Sequence, residues 1–211
     1  LINLQAKSFD HVEKRIKAKL HKLRVDNKIT DLCVVHALAQ MHHETGGFKI
    51  FKEKWGYTPE GLLKTFGARV GTLTRARELI NSGVKNLACQ IYGGRVDLGN
   101  RGCHTEDGFL YIGRGAIQLT GRYNYQKFAD YVNDQSIMTN PDLIISNDDY
   151  FMRTIDFYFD KNKVWDICRQ GFDLQTVKAV TKAINGGING LDDRYKLTQT
   201  YLALFEKNKI G

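Results

Sequence analysis

Along most of the 211-residue chain, apolar positions recur at helical spacing. Phe9, Val12, Ile16, Leu20 and Leu23 stand three and four apart with Lys and Arg between them, which predicts an amphipathic helix over 9–23 with a basic outer face. From Thr30, a suitable N-cap, to His43 the apolar residues cover most of the helical circumference, the pattern of a helix buried on nearly all sides. Gly46 and Gly47 supply the left-handed backbone on which helices commonly end, so Glu44 falls in the last turn. "TPEGLLKTF" begins another helix after Thr58 with Pro59 at the first position, and "LTRARELINSG" is a third, closed at Gly83. Helical spacing returns near Tyr123 and in "YFMRTIDFYFDKN", "LQTVKAVTKAIN" and "DDRYKLTQTYLALFEKN". Residues 109–125 differ: Ala116, Gln118 and Thr120 alternate with Ile117 and Leu119, a period of two that predicts an extended segment with Gln118 and Thr120 on one side. The expected fold is mainly α, about eight helices by this spacing, with a small β element in the middle.

Composition narrows the class. With two prolines and no Pro/Ser-rich linker, residues 1–211 are expected to form a single domain. A hydrophobic share of 42% and a charged share of 26% exclude disorder and a long coiled coil. No apolar run is long enough for a membrane span. The first twenty residues mix acids and bases without an apolar core, which is not a signal peptide, and the expected place of synthesis is a cytoplasm. Cys33, Cys89, Cys103 and Cys168 form no CxxC pair and no zinc spacing, so buried free thiols are expected. The net charge of +8 suits a polyanionic partner (nucleic acid, a phospholipid surface or an anionic cell wall) or simply a solvated basic surface.

Three constellations bear on chemistry. His43-Glu44 resembles the start of a zinc-protease HExxH, but Gly47 stands where the second His must be, so no metal site is expected there. Gly113-Arg114-Gly115 lacks the third glycine and the strand–helix context of a nucleotide site. The third is a carboxylate pair for cleaving a glycosidic bond, which needs one protonated acid and one ionised carboxylate. Glu44, at an apolar helix end, fits the acid, since burial disfavours ionisation; Glu53, between Lys52 and Lys54, fits the ionised partner. The alternatives stay open: Glu44 as a helix-end acid in a structural salt bridge, Glu53 as a solvated charge. Trp55, Tyr57, Tyr111 and Tyr123 are candidates for stacking on sugar faces or for the core.

Four ordered blocks carry a resemblance. "HETGGF", then Glu53, Tyr57, Leu62 and Phe66 at set spacing, then "YGGR" through "GRGAIQLTGRYNY", then "INGGINGLDDR" resemble glycoside hydrolase family 19 in its phage endolysin form, related to plant-type chitinases. The resemblance runs over about residues 30–205. It implies a lysozyme-like, two-lobed helical fold with a small β element beside a deep substrate cleft, and single displacement with inversion at the anomeric carbon. It further implies Glu44 as general acid and Glu53 as general base, although plant-type chitinases place their second Glu farther along the chain. Tyr57, Gln118, Thr120, Asn124, Asn185 and Arg194 fall on positions expected to hold substrate or the attacking water. Cofactors and metals are expected to be absent. The implied partner is the glycan strand of peptidoglycan, not nucleic acid or a membrane interior, with chitin cleavage or a catalytically inactive wall-binding module as alternatives. The expected protein is a monomer made in the infected host's cytoplasm and acting at the cell wall after release.

Overall fold

A computed structural model of the chain describes residues 30–209; the helix expected over 9–23 lies outside them. Helix α1, Asp31–Glu44, is buried at every position from Cys33 to Met41, as its all-round apolar sequence predicts. Thr30 has the extended backbone of an N-cap but makes no capping bond; its hydroxyl lies 3.4 Å from Cys33 Sγ instead. After Thr45 the backbone is left-handed at Gly46 (φ +57°) and Gly47 (φ +77°), which stops the helix where expected. The helices that follow are α2 (Pro59–Val70), α3 (Leu73–Asn81), α4 (Val84–Tyr92), α5 (Asp107–Leu110), α6 (Arg122–Val132), α7 (Ser136–Thr139), α8 (Leu143–Ser146), α9 (Asp148–Lys161), α10 (Val164–Cys168), α11 (Leu174–Asn185) and α12 (Leu191–Lys209). Helix α4 and the one-turn segments α5, α7, α8 and α10 go beyond the helices expected from spacing. The short ones span too few residues for a 3.6 period to show.

The described residues divide into two compact units, one drawn from 30–51 and 152–209, the other Lys52–Phe151. In the first, α12 runs along α1, α11 packs on both, and α10 packs on α1 and α11. A buried histidine ties the loop before α11 to α1: His36 Nε2 donates to the Gly171 carbonyl at 2.8 Å and the ring stacks on Phe172. Burial pushes the imidazole below its ordinary value, so it is neutral.

In the second unit Leu62, Val70, Ala76, Leu79, Leu87, Ala88, Ile91 and Ile112 form a core with Trp55 and Tyr92, and Tyr57, Phe66, Leu98 and Phe109 pack against it. Helices α4 and α5 meet so closely that a Cβ on Gly108 would lie 2.7 Å from the Ala88 carbonyl oxygen, so only glycine fits. No strand forms among the described residues; the small β element expected at 109–125 is reduced to isolated bridges, Lys52 with Arg114 and Arg114 with Leu119. The period of two fails at Gln118, whose φ of +52° is left-handed and turns the chain instead of extending it.

Arg114 holds this turn together. Its side chain is 4% exposed; it donates to Asp142 Oδ1 at 2.7 Å, to the Leu110 carbonyl at 2.7 Å, to the Ile112 carbonyl at 3.2 Å and to Tyr125 Oη at 2.9 Å. Nε and Nη1 are thus committed to protein acceptors within the turn. Arg114→Ala would take the donor from the Leu110 carbonyl and one of the two cations from Asp142, leaving the Tyr125 hydroxyl bonded to the Ile112 carbonyl and Lys52 on Asp142, and the expected loss is about 1–3 kcal/mol in denaturant unfolding. A loss below about 1 kcal/mol would show that the network is not what holds the turn.

Candidate active site

Glu53 enters its site just after the bridge at Lys52. Its backbone N–H donates to the Gly113 carbonyl at 2.8 Å, and the Gly113 N–H returns a 3.2 Å bond to Glu53 Oε2. Tyr92, from the last turn of α4, donates its hydroxyl to Oε1 at 2.8 Å. Burial pushes the carboxyl above the usual Glu range; the Tyr92 and Gly113 bonds and the Arg114 charge oppose this without cancelling it. The expectation that Lys52 and Lys54 would favour the charged form is therefore corrected. Lys52 Nζ pairs with Asp142 at 2.9 Å, and Glu53 is turned into the protein, where desolvation is the larger effect. The charge on Glu53 in turn adds to the burial that raises the Tyr92 and Tyr57 phenols.

Gln118 and Thr120 come together beside this carboxyl, though not by strand alternation. Both turn toward Gly113, the residue whose N–H holds Glu53: a Cβ there would lie 2.8 Å from Gln118 Oε1 and 3.3 Å from Thr120 Oγ1. Gln118 Nε2 donates to the Gly115 carbonyl at 3.2 Å, and Thr120 Oγ1 donates to the Gln118 carbonyl at 2.8 Å. Asn124, in the first turn of α6, donates to the Thr120 carbonyl at 2.8 Å and so fixes the exit of the turn. A half-buried carboxyl, an amide and a hydroxyl thus surround one bare Cα, a polar set able to orient a small hydroxylic molecule.

Glu44 has a different setting. The apolar surroundings expected of it give way to an ion pair: Arg194 Nη2 donates to Oε1 at 2.5 Å, and the Glu44 side chain is 22% exposed. The reason lies in the fold, because α12 lays Arg194 against the last turns of α1. The same guanidinium donates to Gln40 Oε1 and, through Nε, to the Asn189 carbonyl at 3.0 Å. Gln40, one turn before Glu44, reaches on to Thr181 Oγ1 on α11 at 3.4 Å. Glu44 Oε2 has no hydrogen-bond partner among the described residues. His43 pairs with Asp193 at 2.6 Å, and its ring lies over Gly190, where a Cβ would be only 2.2 Å from Cε1. Tyr158 on α9 donates to the Ile184 carbonyl, and the Glu44 charge adds to the burial that raises its phenol.

Asn185 organises the loop after α11: Oδ1 accepts from the Gly187 N–H at 2.8 Å and Nδ2 donates to the Asn189 carbonyl at 3.2 Å, the same carbonyl that Arg194 uses. Of the aromatic candidates, Trp55 and Tyr111 are buried, Tyr57 packs edge-on against Trp55 and Phe66, and Tyr123 is exposed beside Lys127. Sequence reasoning missed Tyr92, Gln40 and the Gly113 backbone as neighbours of the two carboxyls. Gln40 was within reach, since it lies four residues before Glu44 on the same helix face; Tyr92 and Gly113 meet Glu53 only through tertiary packing. Among the described residues no group of three or more His, Cys, Asp or Glu is placed to hold a metal ion, and no helix is long and apolar enough to cross a membrane.

No family model matches the chain. Over 195 residues it is 34% identical to a protein of Haemophilus influenzae named glycosyl hydrolase family 19 domain-containing protein, and the match covers 90% of each chain.

Two predictions follow from the Glu53 setting. In a carbon-13 NMR titration Glu53 should lose its proton above the ordinary Glu value of about 4.3, and Tyr92→Phe, which removes a bond to the charged form while keeping the ring, should move that midpoint higher still. A lower midpoint in the variant would mean that the hydroxyl does not serve the carboxylate. Stability should follow the same carboxyl. Below the unfolded value both states carry the proton; as pH rises through the raised folded value the buried group must ionise and stability is lost. Glu53→Gln should therefore gain stability over the parent as pH rises from about 4 to 7, with little difference at the acid end. A constant difference across that range would refute the linkage.

Proposed function

The chain belongs to glycosyl hydrolase family 19, and on that premise we propose that it is a peptidoglycan-cleaving endolysin, a monomer that hydrolyses β-1,4 bonds between N-acetylated amino sugars by direct displacement, without metal or cofactor. Glu53 takes a proton from a water whose oxygen attacks the anomeric carbon, and the bond to the leaving sugar oxygen breaks as Glu44 protonates that oxygen. One water is consumed and configuration inverts. Proton exchange with solvent then restores Glu44 as acid and Glu53 as base.

The observation that supports this reading best is the Glu53 setting. A base is stronger the higher its proton affinity, provided it is ionised at the working pH. Burial raises Glu53, and the Tyr92 and Gly113 donors keep its charged form accessible. Gln118 and Thr120 stand beside it as the groups to orient the water. On the acid, Arg194 fixes one oxygen and leaves Oε2 to carry the proton. Tyr57, Asn124 and Asn185 act as supports for bound sugar and for the loops that shape the site. Peptidoglycan is favoured over neutral chitin because its peptide carboxylates attract a chain of net charge +8. The endolysin reading adds synthesis in the cytoplasm of a phage-infected host and lysis once the enzyme reaches the wall.

The burial of Glu53 also favours a second assignment with the roles exchanged, Glu53 as acid and Glu44 as base. Leaving groups separate the two, because an activated aryl glycoside departs without a proton. With Glu44 as acid, Glu44→Gln should lose about 2–4 powers of ten on a glycan strand but far less on an aryl glycoside, while Glu53→Gln loses activity on both. The reverse pattern would exchange the roles, and full activity in either variant would remove that carboxyl from the chemistry. Reducing ends released from purified sacculi and from chitin oligomers decide the substrate; release from chitin alone would replace the endolysin with a chitinase, and release from neither would leave a binding module.

A further inference from the structure

Two of the four cysteines face each other in a way the glycosidase reading does not use. Cys33 stands in the first turn of α1 and Cys168 is the last residue of α10; neither thiol is exposed. Cys33 Sγ donates to the Trp165 carbonyl at 3.6 Å. That carbonyl belongs to the residue three before Cys168 and, like every helical carbonyl, points toward the C-terminal end of its helix, so it directs Cys33 toward Cys168. Helix α10 packs on α1 here, which brings the two buried side chains alongside each other. Their environments differ in the way a reactive pair needs. The neighbouring Cys168 thiol brings Cys33 down to about 6 against the opposing effect of burial, with Thr30 and the Arg169 charge adding to it. The unsatisfied N–H groups of the first turn of α1 act in the same direction. Burial and the Cys33 neighbour hold Cys168 protonated.

We propose that Cys33 and Cys168 are a redox pair that closes into a disulfide in an oxidising environment, joining the start of α1 to the end of α10. The oxidant is a small disulfide such as oxidised glutathione. The Cys33 thiolate attacks one of its sulfurs, the S–S bond breaks, and one glutathione leaves as a thiolate that takes up the Cys168 proton. The Cys168 thiolate then attacks Cys33 Sγ and the second glutathione leaves. Two protein thiols are oxidised and one small disulfide is reduced to two thiols. Because both sulfurs are buried, exchange proceeds during folding or when the α1–α10 contact opens, not on the closed surface. The bond would close a long loop of chain and so restrict the unfolded state, and it would anchor the helix whose other end carries Glu44. In a reducing cytoplasm the pair stays open. Closure marks arrival in an oxidising compartment, and the inference stands whether or not the chain cleaves peptidoglycan.

Cys89 and Cys103 provide the internal comparison. Both flank Gly93 in the other unit, where a Cβ would lie 2.4 Å from the Cys89 carbonyl oxygen and 2.7 Å from Cys103 Cα, and Cys103 is exposed. The test is to refold the full chain in a glutathione redox buffer, alkylate the remaining thiols, digest without reductant and map cross-linked peptides by mass spectrometry. Thermal unfolding is measured with and without dithiothreitol. Expected are a peptide joining Cys33 to Cys168 and a rise in Tm of several degrees that the reductant reverses. The rise should be absent from Cys33→Ser and Cys168→Ala alike, with Cys89→Ser retaining it. Alkylation of both Cys33 and Cys168 after oxidative refolding, or cross-linking confined to Cys89 and Cys103, would overturn the proposal.

Discussion

A guanidinium taken out of water brings five N–H donors that all need acceptors, and each compact unit of this chain is arranged around one. In the unit that contains α1, Arg194 is 2% exposed and donates to Gln40, Glu44 and the Asn189 carbonyl. An uncompensated buried charge is costly enough that these partners must be held in place together, which fixes the last turns of α1 against α12 and the loop between Asn185 and Leu191. Glu44 is thus held where it is by the charge balance of the core around it. Its position is as rigid as the helix packing, while its second oxygen meets no hydrogen-bond donor among the described residues.

Arg114 has the same place in the other unit, with carbonyls, a phenol and Asp142 as its acceptors. The turn that it stabilises carries Gly113, whose backbone grips Glu53 at both its N–H and its carboxylate, and brings Gln118 and Thr120 alongside. The left-handed Gln118 is the local strain that this network compensates, and strained backbone that persists beside a polar cluster commonly serves the cluster. Glu53 adds a second cost, because a carboxyl raised by burial opposes folding whenever it ionises. A chain selected for stability alone would have no reason to keep it.

The two carboxyls have different partners: a guanidinium binds Glu44, and a phenol and a backbone N–H hold Glu53. Family membership supplies the reaction class.

The sequence by itself determined the helical character, the burial of α1, its stop at Gly46 and Gly47 and the helix start after Thr58. All of these depend on neighbours within a turn or two: apolar spacing, Gly and Pro backbone preference, and ordered short blocks. It also put Gln118 and Thr120 together, but by alternation along a strand that does not form. The tertiary structure decided the rest. Arg194 reaches Glu44 from a helix about 150 residues later in the chain, and Tyr92 reaches Glu53 from 39 residues on. Which carboxyl loses water and which gains a cation is settled by such long-range contacts, because desolvation and charge pairing depend on what lies within a few ångströms in space, and local sequence does not encode that distance.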